Sequence, residues 1–142
     1  MKRPIVIGSM LCSFVVTLMA QTPVKHSPEI VAQKSFIAQM ASISPTTVFT
    51  PASTGIFRVT GYLEQSNTAE GYSPEVFVSW TGDFASYQDQ VNGGLSYSGS
   101  AAAVTLNLLV VHGAANQPIQ ISTSVNPSEQ GTYNLYVVVE KL

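Results

Sequence analysis

Apolar and polar residues alternate with a period of two along most of the chain from residue 35 onwards. In residues 132–140, one face receives the alternate residues Tyr133, Leu135, Val137 and Val139. Such alternation is typical of half-buried β-strands, and no stretch of useful length has the 3.6-residue period of an amphipathic helix. The sequence therefore predicts an all-β fold.

The alternating segments recur at fairly even spacing and are separated by turn-forming residues. They predict eight strands: 35–43, 46–50, 56–65, 75–81, 94–98, 102–111, 119–125 and 132–140. In 102–111 the inward set is Val104, Leu106, Leu108 and Val110. Eight antiparallel strands without helices, in a chain of 142 residues, suit one two-sheet jelly-roll sandwich.

The N-terminal twenty residues have the composition of a signal peptide. Lys2 and Arg3 precede an apolar run over residues 5–20, which is shorter than the roughly 20 residues that span a bilayer. We expect cleavage before Gln21, leaving no transmembrane segment in a secreted protein, extracellular or periplasmic; the alternative is an uncleaved anchor. Residues 21–34 read as a flexible lead-in, with at most one helical turn over 28–34, and the jelly-roll domain occupies 35–142.

Charged residues are scarce, at 10% of the chain against roughly 25% in typical soluble proteins. Six Lys and Arg against eight Asp and Glu exclude a polybasic nucleic-acid-binding protein. The single cysteine, Cys12, lies in the leader, so cleavage would leave a chain without disulfides, thiolate metal ligands or cysteine nucleophiles.

Several predicted strands carry apolar residues on both faces, whereas a sandwich strand normally exposes a polar face. The outward apolar residues are Ile56, Tyr62, Leu109, Val111, Tyr136 and Val138. A contiguous exposed apolar patch usually marks an interface, and these residues are therefore the candidate subunit interface. The alternative is that loops or the N-terminal segment of the same chain cover this face.

The sequence offers little catalytic chemistry. His26 lies in the lead-in, and His112 has no His, Cys, Asp or Glu cluster near it in sequence. We expect no enzyme activity, no cofactor and no metal. Two alternatives stay open: a glycosidase pair among the acids Glu64, Glu70, Glu75, Asp83 and Asp89, and calcium bound by the Asp83–Asn92 loop, which lacks the regular Asp-x-Asp-x-Asp-Gly spacing.

Aromatic residues are concentrated in the middle of the chain. Trp80 shares a predicted strand face with Val76 and Val78, which favours a core position. Phe84 and Tyr87 lie in the predicted loop that follows and are the candidate ligand contacts. Amphipathic aromatic rings on a surface can stack on sugars, so this pattern indicates a glycan or cell-surface partner as an alternative.

The segment 36–63 resembles the opening of short jelly-roll modules found in secreted bacterial proteins and at the ends of phage tail fibres. It carries Thr46-Thr-Val-Phe-Thr50 and Gly55-Ile-Phe-Arg-Val59, and 76–81, 118–125 and 133–142 resemble their later strands. More distantly, Phe49-x-Pro51 and Gly131-x-Tyr133 are similar to tumour-necrosis-factor-like and complement-globular-head domains. The resemblance implies a homotrimer and supplies no catalytic residues. A tail-fibre shaft is missing, so an adhesin role of viral type does not carry over.

These patterns together predict a secreted, non-enzymatic β-sandwich module with a structural or adhesion role, whose partner is another copy of the same chain. One alternative is a carbohydrate-binding module. Another is a fibre-forming, pilin-like subunit, although such a subunit has a penultimate Tyr where this chain has Lys141.

Overall fold

The computed structural model describes residues 27–66, 74–91, 102–126, 128 and 131–142. These residues form nine β-strands and no helix: β1 (Glu29–Gln39), β2 (Thr46–Phe49), β3 (Gly55–Ser66), β4 (Glu75–Thr81), β5 (Ser86–Gln90), β6 (Ala102–Thr105), β7 (Leu109–Gly113), β8 (Ile119–Ser124) and β9 (Thr132–Lys141). The leader, His26 and the predicted strand 94–98 lie outside the described residues. In the described part of the chain, no helix is long and apolar enough to cross a membrane.

The strands pair as if one long hairpin had been rolled up. With β4 and β5 at its tip, the antiparallel pairs are β4–β5, β3 with β6 and β7, β2–β8 and β1–β9. Rolling closes two sheets, β1-β9-β3 followed by β6 and β7, and β2-β8-β4-β5. This is the jelly-roll arrangement, and the predicted fold class is confirmed.

The core lies between the two sheets and follows the alternation of the sequence. The five-stranded sheet contributes Phe57, Val59, Leu63, Leu135, Val137 and Val139; the four-stranded sheet contributes Val76, Val78, Ile119 and Ile121. Each of these side chains is at most 2% exposed. Burial of this apolar surface, at about 25 cal/mol per Å², is the main favourable term in folding.

The segment predicted as one strand over 102–111 is two strands with opposite phase. Three residues, 106–108, separate β6 from β7. The N–H of Leu106 still donates to the carbonyl oxygen of Gly61 on β3, but the N–H of Asn107 donates to the carbonyl oxygen of Val91 instead. When the chain pairs with β3 again, Leu109 lies opposite Val59. The outward assignment of Leu109 and Val111 is therefore wrong: Val111 is buried and Leu109 packs on the core. The exposed residues are instead Leu108 and Val110.

The ordered domain begins earlier than residue 35. β1 starts at Glu29, opposite Lys141, and pairs along β9 with two register shifts. The expectation of a flexible lead-in or helical turn is therefore wrong for residues 29–34, because the backbone of this edge strand finds partners on β9. At the second shift Ala38 has a φ of 51°, and its N–H donates to the Asn134 side-chain oxygen at 2.8 Å.

A buried chain of hydrogen bonds ties the β1–β2 connection to the last two strands. Tyr133 donates its hydroxyl proton to the Ala41 carbonyl at 2.8 Å. The Thr123 hydroxyl lies 2.6 Å from the Tyr133 oxygen and accepts the Ile43 N–H at 2.8 Å. Because Tyr133 has one proton and a carbonyl can only accept, Thr123 is the donor to Tyr133. Every group in this chain is thus satisfied.

Candidate functional site

A cleft of about 320 Å³ opens at one edge of the sandwich, where β7 passes the turn between β4 and β5. Backbone bonding fixes this approach: the Ala114 N–H donates to the Thr81 carbonyl at 2.8 Å. Its principal lining residues are Trp80, Asp83, Phe84, Tyr87, Val110 and His112. Both predicted ligand-contact residues, Phe84 and Tyr87, therefore line one cavity.

Two stacked aromatic rings form one wall of the cleft. Trp80 lies directly opposite Tyr87 in the β4–β5 ladder, so both side chains project from the same side of the sheet. Their ring centroids are 5.4 Å apart and the planes differ by 23°. Tyr87 thus belongs to a strand rather than to the predicted loop. Trp80 is only partly buried at the margin of the core that holds Val76 and Val78.

The β4–β5 turn presents a third aromatic ring to solvent. The Gly82 N–H donates to the Ala85 carbonyl at 2.9 Å and closes the turn. Phe84, within it, is 96% exposed. Gly82 leaves little space beside the stack, because a Cβ there would lie 3.1 Å from the Tyr87 ring. The turn therefore fixes the position of Tyr87 and leaves Phe84 uncovered.

Asp83 and His112 meet at the cleft, although they are far apart in the sequence. The distance from His112 Nδ1 to Asp83 Oδ2 is 3.5 Å, and both side chains are about half exposed. No partner for His112 was expected from the residues near it in sequence, because a contact between two sheets leaves no local signal. The phase predicted for 102–111 placed Val110 inward, so the alternation gave no clue to this pair.

The open metal and catalytic alternatives gain nothing from the described residues. No group of three or more His, Cys, Asp or Glu there could hold a metal ion. Asp83 pairs with His112, Asp89 lies on β5, and Asn92 and Glu70 are outside the described residues. Glu64 instead accepts long hydrogen bonds from Asn134 at 3.4 Å and Tyr136 at 3.5 Å.

A second surface feature is the outer face of the five-stranded sheet, formed by Ile56, Tyr62, Tyr136 and Val138 with the Arg58–Glu140 pair. Tyr62 and Tyr136 are cross-strand neighbours whose rings stack at 4.5 Å with planes 16° apart. Ile56 and Tyr62 are 41% and 40% exposed; Tyr136 and Val138 are half-buried. Four of the six predicted interface residues therefore share this face, and Leu109 and Val111 do not.

One ion pair lies within the outer face. Arg58 Nε is 2.5 Å from Glu140 Oε2, on directly paired residues. The hydrogen bond from Arg58 lowers the pKa of the Glu140 carboxyl, and the same bond raises the pKa of Arg58. Desolvation, followed by the nearby Glu64 charge, raises the pKa of Tyr136. The face is therefore apolar and aromatic, with Arg58 and Glu140 paired and the Glu64 carboxylate hydrogen-bonded by Tyr136 and Asn134 at its margin.

Comparison with known proteins identifies no family. No protein-family profile matches the chain, and no curated protein matches it at a significant level. Among solved structures, one chain of the infectious bursal disease virus Gx strain matches with a TM-score of 0.48 and 11% identity over 94% of this chain. The match spans 36% of the viral chain. The jelly-roll assignment rests on the strand pairing described above.

Proposed function

We propose that this protein is a secreted, non-enzymatic jelly-roll module with a structural or adhesion role, and that it assembles as a homotrimer. The outer face of the five-stranded sheet forms the contact between copies. The observation that carries the proposal is the Tyr62–Tyr136 stack on an exposed sheet face that also carries Ile56 and Val138.

The chemistry of the outer face matches that of protein interfaces. Aromatic residues and Arg are enriched at interfaces, whereas Lys and Glu are depleted. Here Tyr62 and Tyr136 are paired across the neighbouring strands β3 and β9, and Glu140 forms an ion pair with Arg58. A second copy therefore covers apolar surface and a compensated ion pair, with the Glu64 carboxylate held by Tyr136 and Asn134 at the margin of the contact.

The scarcity of charge in the whole chain supports self-association. With 10% charged residues and a formal net charge of −2, electrostatic repulsion between copies is weak. The number of copies follows the trimeric modules that the sequence resembles. The extracellular location follows from the signal-peptide composition of residues 1–20.

Sedimentation of matched charge variants tests the proposal. Tyr62→Glu places a charge on the outer face, whereas Thr47→Glu places one at an exposed strand position of the other sheet. We expect the wild-type protein and Thr47→Glu to sediment as trimers and Tyr62→Glu as a monomer. Ile56→Glu repeats the test if Tyr62→Glu does not fold. The proposal is contradicted if Thr47→Glu dissociates the trimer as much as Tyr62→Glu does, or if neither Tyr62→Glu nor Ile56→Glu dissociates it.

A further inference from the structure

We infer that the cleft between β7 and the β4–β5 turn is a binding site for one ring of a neutral saccharide. Trp80, Phe84 and Tyr87 supply the apolar contact, and Asp83 and His112 supply the hydrogen bonds. The inference is independent of self-association, because these residues lie outside the set that defines the outer face.

The arrangement of the aromatic rings favours a flat, partly apolar ligand. Trp80 and Tyr87 are nearly parallel, with planes 23° apart, so each ring covers one face of the other, and Tyr87, which is 45% exposed, keeps ring surface open to a ligand. A pyranose has one face of C–H bonds, which packs on an aromatic surface as other apolar groups do. The exposed ring of Phe84 adds a second apolar contact at the mouth of the cleft.

Asp83 and His112 supply the hydrogen-bond acceptors and donors that the hydroxyl groups of a sugar need. Asp83 carries carboxylate oxygens that accept, and His112 carries ring nitrogens that donate or accept. Their Oδ2–Nδ1 distance is 3.5 Å, so neighbouring hydroxyls of one sugar can reach both. Their partial exposure leaves their remaining hydrogen-bonding positions open to a ligand.

The charge and the volume of the cleft narrow the class of ligand further. No Lys or Arg is among the described residues that line the cleft, which disfavours phosphate, sulfate or acidic sugars. The volume of about 320 Å³ lies at the small end of the roughly 300–1,000 Å³ range of ligand pockets. It therefore suits one ring, such as the terminal unit of a longer chain.

The chain provides its own reporter for this site, since Trp80 is the only tryptophan in the sequence. The purified protein is titrated with neutral oligosaccharides that end in glucose, galactose, mannose or N-acetylglucosamine, and Trp80 emission is followed. We expect a saturable change with at least one of them. No saturable change with any of these probes up to about 20 mM overturns the inference.

Matched variants place the binding site, with affinities measured by calorimetry. Phe84→Ala and Tyr87→Ala should each weaken binding about tenfold, because each removes an aromatic contact. Asp83→Ala should weaken it about threefold or more through the lost acceptor. Leu108→Ala, which truncates an exposed apolar residue that does not line the cleft, should leave affinity unchanged.

Two further outcomes would contradict the proposal that the cleft binds a saccharide. If binding survives both aromatic variants, the saccharide binds elsewhere and the inference is wrong. If choline, a small quaternary ammonium, gives the saturable change and the saccharides do not, the cleft binds a cation through its aromatic rings and Asp83. Phe84→Ala keeps this test interpretable, because a side chain that is 96% exposed contributes little to folding.

Discussion

Removing one buried hydroxyl tests the hydrogen-bond chain that links the β1–β2 connection to β8 and β9. In Tyr133→Phe, the Ala41 carbonyl loses its donor and the Thr123 hydroxyl loses its acceptor. Tyr133 is 1% exposed, so water does not readily replace the lost group. Two hydrogen bonds at about 0.5–1.5 kcal/mol each predict a loss of about 2 kcal/mol in the free energy of unfolding.

Urea denaturation measures this loss at one fixed protein concentration, because in the proposed trimer unfolding would be coupled to dissociation. With an m-value of about 1–2 kcal/mol/M, the midpoint should fall by about 1–2 M with an unchanged slope. Tyr87→Phe, which removes the hydroxyl of an exposed tyrosine, is the control and should change stability by less than about 0.5 kcal/mol. An equally small effect of Tyr133→Phe would refute the reasoning.

A double-mutant cycle with Thr123→Val separates the hydrogen bond from the loss of packing. Because both side chains belong to one chain of hydrogen bonds, their effects on the free energy of unfolding should not add.

The pH dependence of stability gives a second check on the same hydrogen-bond chain. Burial raises the pKa of Tyr133 above its ordinary value of 10.0, so the folded state retains the proton more strongly. The contribution of Tyr133 to stability should therefore be fully present below pH 10 and be lost as the pH rises through the raised pKa. Tyr133→Phe should remove this pH-dependent loss.

Four further substitutions test the strand pairing and the outer-face ion pair. Gly61→Ala should destabilise the fold by about 3 kcal/mol in urea denaturation, because its Cβ would overlap a backbone carbonyl of β9; an unchanged midpoint would contradict this pairing. Val111→Ala should cost about 2 kcal/mol and Val110→Ala less than about 0.5 kcal/mol, and the reverse order would restore the single-strand prediction for 102–111. Arg58 lowers the pKa of Glu140 below 4.5, so its contribution to stability is present above pH 4.5 and is lost as the pH falls through the lowered value. Melting curves should show this acid loss in the wild type and a smaller one in Glu140→Gln; identical pH profiles would show that the pair contributes nothing.

Strands with one buried face could be predicted closely from the sequence. β4 has the predicted bounds, because Val76 and Val78 alternate with more exposed residues. β5 was missed, since all five of its residues are exposed and an edge strand of this kind has no burial pattern. The phase change before Leu109 was also hidden, because contacts with Val91 and Gly61 from distant parts of the chain set it.

Part of the candidate cleft could also be predicted from the sequence. Phe84 and Tyr87 stood out because aromatic side chains in a polar segment need an explanation. The Asp83–His112 pair gave no such signal. Only the packing of the two sheets brings the β4–β5 turn of one sheet next to β7, an edge strand of the other. Trp80 was misleading: its alternation with Val76 and Val78 is real, but the strand carries it to the margin of the core.

The central claim is that the outer face containing Tyr62 and Tyr136 binds other copies of this chain. The molar mass of the purified protein in solution, measured by light scattering at micromolar concentration, tests it most directly. We expect three times the mass of one chain. A mass equal to that of one chain, unchanged as the protein is concentrated, would contradict it.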